Sequence, residues 1–199
     1  MSMINHFPKL SKDHKKYLIA IARDAIQAVI SNQQPKQLNL ADTPKPLTLH
    51  GASFVTITIN NQLRGCIGTL EASQPLALDV QEHAIAAATQ DYRFPPLQKE
   101  EYPHIKIEVS VLSPMQKIEY KHPTDLAKMI RPGKDGVVLI NGARRATFLP
   151  QVWEKIQSPE DFLAHLCLKM GASPDLWREK VLDARVYQVE VIEEDEFRE

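Results

Sequence analysis

The sequence predicts an α+β fold: a mostly antiparallel sheet with packed helices, built by internal duplication of a β-hairpin–α–β unit. Three observations predict it. Two β-rich runs, at 52–70 and 137–149, each break at turn-forming residues and read as hairpins. Each hairpin is followed by a helical stretch, about 75–90 and 159–170, and then by an alternating strand, 104–112 and 184–193. The turns at Asn60 and Asn141 lie 81 residues apart, as do Ile105 and Val186, and at that offset Arg64 falls on Arg145. Few residues match between the copies, so the order of elements carries the repeat. One domain of residues 1–199 is expected, with an N-terminal helix at 11–31, a first repeat at 52–113 and a second at 136–193.

Taken in order, Ser11 is placed to cap a helix whose Leu18, Ile21, Ala22, Ala25 and Val29 recur at helical spacing. Residues 32–51 are rich in Gln, Asn and Pro and read as an irregular connector. The first hairpin turns at Asn60-Asn61 and returns through Leu63-Arg64-Gly65-Cys66-Ile67-Gly68-Thr69-Leu70. A two-residue loop places Cys66 opposite Val55 and Arg64 opposite Ile57, on a largely apolar face. Ser73 and Pro75 open the second helix, which ends before Asp91-Tyr92-Arg93-Phe94-Pro95-Pro96-Leu97, because paired prolines hold a chain extended. Ile105, Ile107, Val109 and Val111 give a strand with one buried face. A short helix at 123–130 and a turn at Arg131-Pro132-Gly133 precede the second hairpin, which turns at Asn141-Gly142. Ser158-Pro159-Glu160-Asp161 starts the last long helix, and Gly171 ends it.

Composition narrows the function classes. With 24 basic and 25 acidic residues there is no global field for nucleic acid or an anionic membrane, so nucleic acid is not the expected partner. No apolar run reaches the roughly 20 residues that span a bilayer. The first sixteen residues lack an apolar signal core, and a cytoplasmic protein is expected. The two cysteines, Cys66 and Cys167, are expected to be reduced. No three-cysteine cluster, no HxH, HxxxH or HExxH pattern and no glycine-rich phosphate loop occurs, so neither a metal nor a cofactor is expected.

The candidate site residues gather around Cys66. The thiol reads either as a nucleophile or redox group activated by a nearby cation, or as a small buried residue that permits tight packing. Gly65 and Gly68 leave room for a ligand or for another part of the backbone. Arg64, Arg93, Arg144 and Arg145 read either as forks for a carboxylate or phosphate, or as partners of structural ion pairs with Asp91, Glu71, Glu108 or Asp135. A base for Cys66 would come from His50, His83, His104 or His122. His83 leads, because its helix directly follows the hairpin. Asp91 and Glu108 are candidate acids, with Glu108 on the side of its strand opposite Ile107 and Val109.

Leu63–Leu70 resembles the hallmark LRGCIGT motif of the AMMECR domain family, also called AmmeMemoRadiSam system protein A. Arg93–Leu97, Glu108–Leu112 and Arg144–Trp153 match further stretches of that family in the same order, so the resemblance covers nearly the whole chain. Tyr92 departs from it, standing where many relatives carry proline. The resemblance implies a duplicated α+β fold and an unresolved biochemistry, since the family is encoded in many microbes beside a Memo-like protein and a radical SAM protein. It implies those two as partners in a pathway. The expected function is a thiol-dependent enzyme or enzyme subunit acting on a small anionic substrate, with Cys66 and His83 catalytic and Arg64, Gly65, Gly68, Arg93, Arg144 and Arg145 binding. The alternative is a non-catalytic binding or adaptor module for a protein partner or nucleic acid.

Overall fold

Ser11 caps the first helix, α1 (Lys12–Ile30). Its hydroxyl accepts from the His14 N–H while His14 Nδ1 accepts from the Ser11 N–H, both at 3.2 Å. Two of the four otherwise unpaired donors of the helix start are thereby satisfied. The computed structural model describes residues 10–197. It divides into two compact units, one running to Leu112 and resuming at Glu190, the other spanning Ser113–Val189.

In the first unit the hairpin is β1 (His50–Ile59) and β2 (Gln62–Gly68), joined through Asn60 and Asn61 at φ 51° and 61°. Two left-handed residues in succession give the primed turn whose twist matches paired strands, and asparagine tolerates that region. A short β3 (Gln74–Pro75) pairs with the start of β1 and leads into α2 (Leu76–Thr89). The unit's next strand, β4 (Ile105–Leu112), pairs antiparallel with β1, so the order is β2-β1-β4. Val55, Ile57, Ile107 and Val109 alternate onto one face and form a core with Leu18, Ala22, Ile26, Val80, Ala84 and Ala87 of α1 and α2. Each such fully buried branched side chain contributes about 1.5–3 kcal/mol relative to exposure.

In the second unit β5 (Gln116–Lys117) precedes α3 (Leu126–Met129) and the hairpin β6 (Gly136–Asn141) and β7 (Arg144–Phe148). Helix α4 (Pro159–Lys169), a single turn α5 (Leu176–Glu179) and β8 (Asp183–Tyr187) follow. The sheet order is β5-β8-β6-β7. Its core centres on Trp153, which stacks on Phe162 with centroids 3.8 Å apart and donates its indole N–H to the Asp135 carbonyl at 2.7 Å. In both units the first hairpin strand lies between its hairpin partner and the strand that follows the helix.

Four expectations are corrected. The second loop is Gly142-Ala143, one residue later than the sequence suggested, with Gly142 at φ 62° and Asn141 paired to Arg144. The final strand breaks at Gln188, whose N–H goes to the Ser113 hydroxyl and whose carbonyl accepts from the Ser113 N–H, each at 2.8 Å. Its second half, β9 (Val189–Glu193), joins the first sheet beside β4 rather than the second. The strands after the two helices therefore do not match at a constant offset: Glu108 lies opposite Thr56, while Arg185 lies opposite Val138. The fourth correction, to the register of Cys66, shapes the site.

Candidate functional site

Counting outward from the Asn60-Asn61 loop, Ile59 faces Gln62 and Thr58 faces Leu63, but Ile57 then faces Gly65. Arg64 is the extra residue of a β-bulge. One inserted residue reverses which side every later side chain of β2 takes. Cys66 therefore lies opposite Thr56, not Val55, and Arg64 is opposite no residue of β1. Val55 and Ile57 face the helices, so Cys66 stands on the other face of the sheet.

On that outer face three strands line up Cys66, Thr56 and Glu108 in one row. The Thr56 hydroxyl donates to Cys66 Sγ at 3.2 Å, and side chains directly opposite on paired strands have Cβ atoms about 5 Å apart. Cys66 is half-buried. Burial pushes its thiol pKa up, with Glu108 and Asp91 adding to the rise and Thr56 and Arg93 opposing it. This holds the thiol toward its neutral form, against the activated thiolate that one of its two readings required. Glu108 is raised as well, chiefly by burial, against a 3.1 Å hydrogen bond from Ser110 Oγ. It was expected to be solvated or paired with an arginine; among the described residues it makes no ion pair.

The backbone of Cys66 is gripped from the loop after α2. Its N–H donates to Asp91 Oδ2 at 2.8 Å, and its carbonyl accepts from Arg93 Nη2 at 3.2 Å. Arg93 in turn holds Asp91 through Nη2 at 2.6 Å, Nε at 2.8 Å and its own N–H at 3.2 Å. Asp91 is 4% exposed, and this pairing outweighs its burial, holding the carboxyl well below the usual carboxylate range. The clip covers the outward edge of β2, which no strand pairs among the described residues.

Arg64 stitches the same two stretches together elsewhere. Its Nε and Nη2 fork onto Glu101 at 2.7 and 2.9 Å, and Nη1 and Nη2 donate to the Pro95 and Pro96 carbonyls. The guanidinium lies 6.0 Å from the Phe94 ring centre. Its donors are thus engaged by the protein. Among the described residues Arg93 Nη1 makes no hydrogen bond, and 42% of its side chain is exposed. The two glycines are explained by the chain itself. A Cβ on Gly65 would collide with the Ala87 carbonyl of α2, and one on Gly68 with Phe54 and the Ser53 carbonyl. The room they leave is filled by protein.

His83 is not placed to serve Cys66. Its Nδ1 lies 3.1 Å from Asp79 Oδ2, which accepts the Ser53 hydroxyl at 2.6 Å. Ser53 alternates with Val55 and Ile57 on the helix side, so the sheet separates His83 from the thiol. Arg144 and Arg145 belong to the second unit. Arg144 donates to the Gly171 carbonyl at 2.7 Å, and Arg145 is opposite Ile140 on β7. Counted from its loop, Arg145 corresponds to Leu63, because Arg64 is the bulge residue. Cys167 is fully buried in that unit's core. Among the described residues no group of three His, Cys, Asp or Glu is set to hold a metal ion. The row through Thr56 and the Asp91 clip were invisible to pattern reading, because a bulge has no sequence mark beyond a glycine in a strand.

These features define a two-unit α+β protein in which the LRGCIG strand and the RFPPL loop form one structure. The chain belongs to the AMMECR1 family, whose model matches residues 19–192. It is 37% identical over 196 residues to Protein MK0488 of Methanopyrus kandleri, covering 94% of this chain and 92% of that protein. A protein of Methanothermobacter thermautotrophicus is 37% identical over 195 residues, covering 95% and 98%. The fold matches the crystal structure of the uncharacterized protein PH0010 from Pyrococcus horikoshii with a TM-score of 0.83, at 34% identity and 94% coverage of both chains. Among the described residues no helix is long and apolar enough to cross a membrane.

Proposed function

We propose that the protein is a thiol-dependent enzyme, or a subunit of one, acting on a small anionic molecule at the outer face of the first sheet. The observation that carries this reading is the row of thiol, hydroxyl and carboxyl made by Cys66, Thr56 and Glu108. Burial moves both ionising groups toward their neutral forms, which brings a carboxyl nearer the range where it accepts and returns protons. Cys66 is the nucleophile in this reading and Glu108 the proton acceptor, with Thr56 between them. Arg93, through its unengaged Nη1, receives the anion. Arg64 is a structural residue. The enzyme works in the cytoplasm, in a pathway with Memo-like and radical SAM proteins.

Two observations favour a second reading, a non-catalytic adaptor for a protein partner. The thiol is pushed up rather than down, and Tyr92 beside the clip is 94% exposed. The test is the alkylation rate of Cys66 against pH in the folded protein, with Cys167 as internal control, alone and with a panel of small carboxylates and phosphates. The enzyme reading expects Cys66 to react while Cys167 does not, with a midpoint above the usual thiol value of roughly 8.5 and protection by an anion. Labelling of Cys66 only on unfolding would sink it. The adaptor reading then requires Tyr92→Ala to abolish partner capture.

A further inference from the structure

We infer that Asp91 and Arg93 are positioning residues for Cys66: a carboxylate–guanidinium clip that grips this one residue by both backbone polar groups and fixes the register that sets its thiol on the outer face. The inference deepens the reading of Cys66 as the working thiol and rests on it for its purpose. A glycine-rich strand is weakly held in register, and β2 carries Gly65 and Gly68 on either side of Cys66. Cys66 comes two residues after the bulge residue Arg64, and a slip of one position would return its side chain to the helix side with Val55 and Ile57. The clip acts at that point. Asp91 Oδ2 takes both the Cys66 N–H and Arg93 Nη2, while Oδ1 takes Arg93 Nε and N–H, so both oxygens of a nearly inaccessible carboxylate are used. The same Arg93 Nη2 reaches the Cys66 carbonyl. Asp91 itself is anchored next to α2, since the Phe94 N–H donates to its carbonyl and the Leu97 N–H returns to Ala88.

The clip also brings one charge of each sign to the thiol. The charged groups that bear on Cys66 are Arg93 and Asp91 from the loop and Glu108 from β4, while Asp79 and His83 of α2 lie across the sheet. Where the register holds without the clip, removing one charge moves the thiol by that charge alone, down for Asp91 and up for Arg93. Where the clip fixes the register, losing either partner lets the thiol turn to the helix side, and burial raises it in both variants.

The experiment is the pH titration of the cysteine Cβ resonances in protein labelled with 13C at cysteine, which reads the thiol whether or not a reagent reaches it. Cys66→Ser assigns the two signals. Asp91→Asn and Arg93→Gln are each expected to raise the Cys66 midpoint, by about one pH unit. Arg93→Lys, which keeps the charge and loses the fork, should raise it as well. The Cys66 amide proton should move upfield in Asp91→Asn, because its carboxylate acceptor is lost. If Asp91→Asn does not fold, Arg93→Lys decides. A midpoint that falls in Asp91→Asn, or stays in place in Arg93→Lys, overturns the inference. That failure is distinct from failure of the enzyme reading, which turns on reaction and anion protection of Cys66 in the unaltered protein.

Discussion

The two hairpins share a topology and differ by one residue. In β6 and β7 the ladder runs without interruption from Asn141–Arg144 to Val137–Phe148, and the residue in the place of Cys66 is Thr147. Its hydroxyl donates to the Val137 carbonyl at 3.0 Å and meets the Tyr187 hydroxyl at 2.9 Å, closing a structural network. The Tyr187 ring lies where a Cβ on Gly136 would be, and burial pushes its hydroxyl up to about 12. The equivalent row, Thr147, Val138 and Arg185, holds neither thiol nor carboxyl. In β1 and β2 the bulge at Arg64 turns the strand over, and the row becomes Cys66, Thr56 and Glu108. The difference teaches that the hallmark stretch works through register: with Arg64 left out of the ladder, held by its own fork while the clip grips Cys66, the thiol stands on the outer face instead of the core face.

Removing the bulge should break the comparison outright. Deleting Arg64 makes the first hairpin regular like the second and leaves Cys66 opposite Thr56, but it removes the fork that ties β2 to Glu101, Pro95 and Pro96. The largest loss is expected here, about 4 kcal/mol in urea unfolding, because a part-buried carboxylate and two carbonyls lose their donors together. Next is Gly65→Ala. The added methyl meets the backbone of α2 rather than a movable side chain, so a loss of about 3 kcal/mol is expected in urea unfolding. Gly142→Ala in the other hairpin is the control: nothing lies within 4 Å of the new methyl, and only its φ of 62° is strained, for a loss of about 1 kcal/mol.

The acid limb sharpens the comparison further. The Asp91 carboxyl is depressed in the folded state, so its contribution is fully present above the unfolded value of roughly 3.9 and is lost as pH falls through the lower folded one. Melting temperature against pH should fall more steeply for the unaltered protein than for Asp91→Asn below about pH 4. Parallel curves would mean that the clip adds no net stability. The smallest effect is expected for Cys66→Ser. It should cost about 1 kcal/mol, because the half-buried site already offers a hydroxyl partner in Thr56. A larger loss would mark Cys66 as a packing residue.

Local chemistry made much of the fold legible in the sequence. Ser11 and Ser158 cap their helices, Asn60-Asn61 and Gly142 make their turns, and the alternation of Ile105, Ile107 and Val109 marks the buried face of β4, because each signal acts within a few residues of itself. The residues that matter at the site were also legible as candidates, since Cys66, Arg64, Arg93, Asp91 and Glu108 all stand in recognisable stretches. Their roles were not. Whether Arg64 binds an anion or Glu101, whether Gly65 admits a ligand or Ala87, and whether His83 sees Cys66 or Asp79 all depend on contacts between segments distant in sequence. The side of the sheet on which Cys66 stands turned on a single bulge. Contacts between distant segments select the bulged hairpin: the Arg64–Glu101 fork, the Asp91–Arg93 clip, and the approach of Gly65 to the Ala87 carbonyl, which leaves no room for Arg64 in its place.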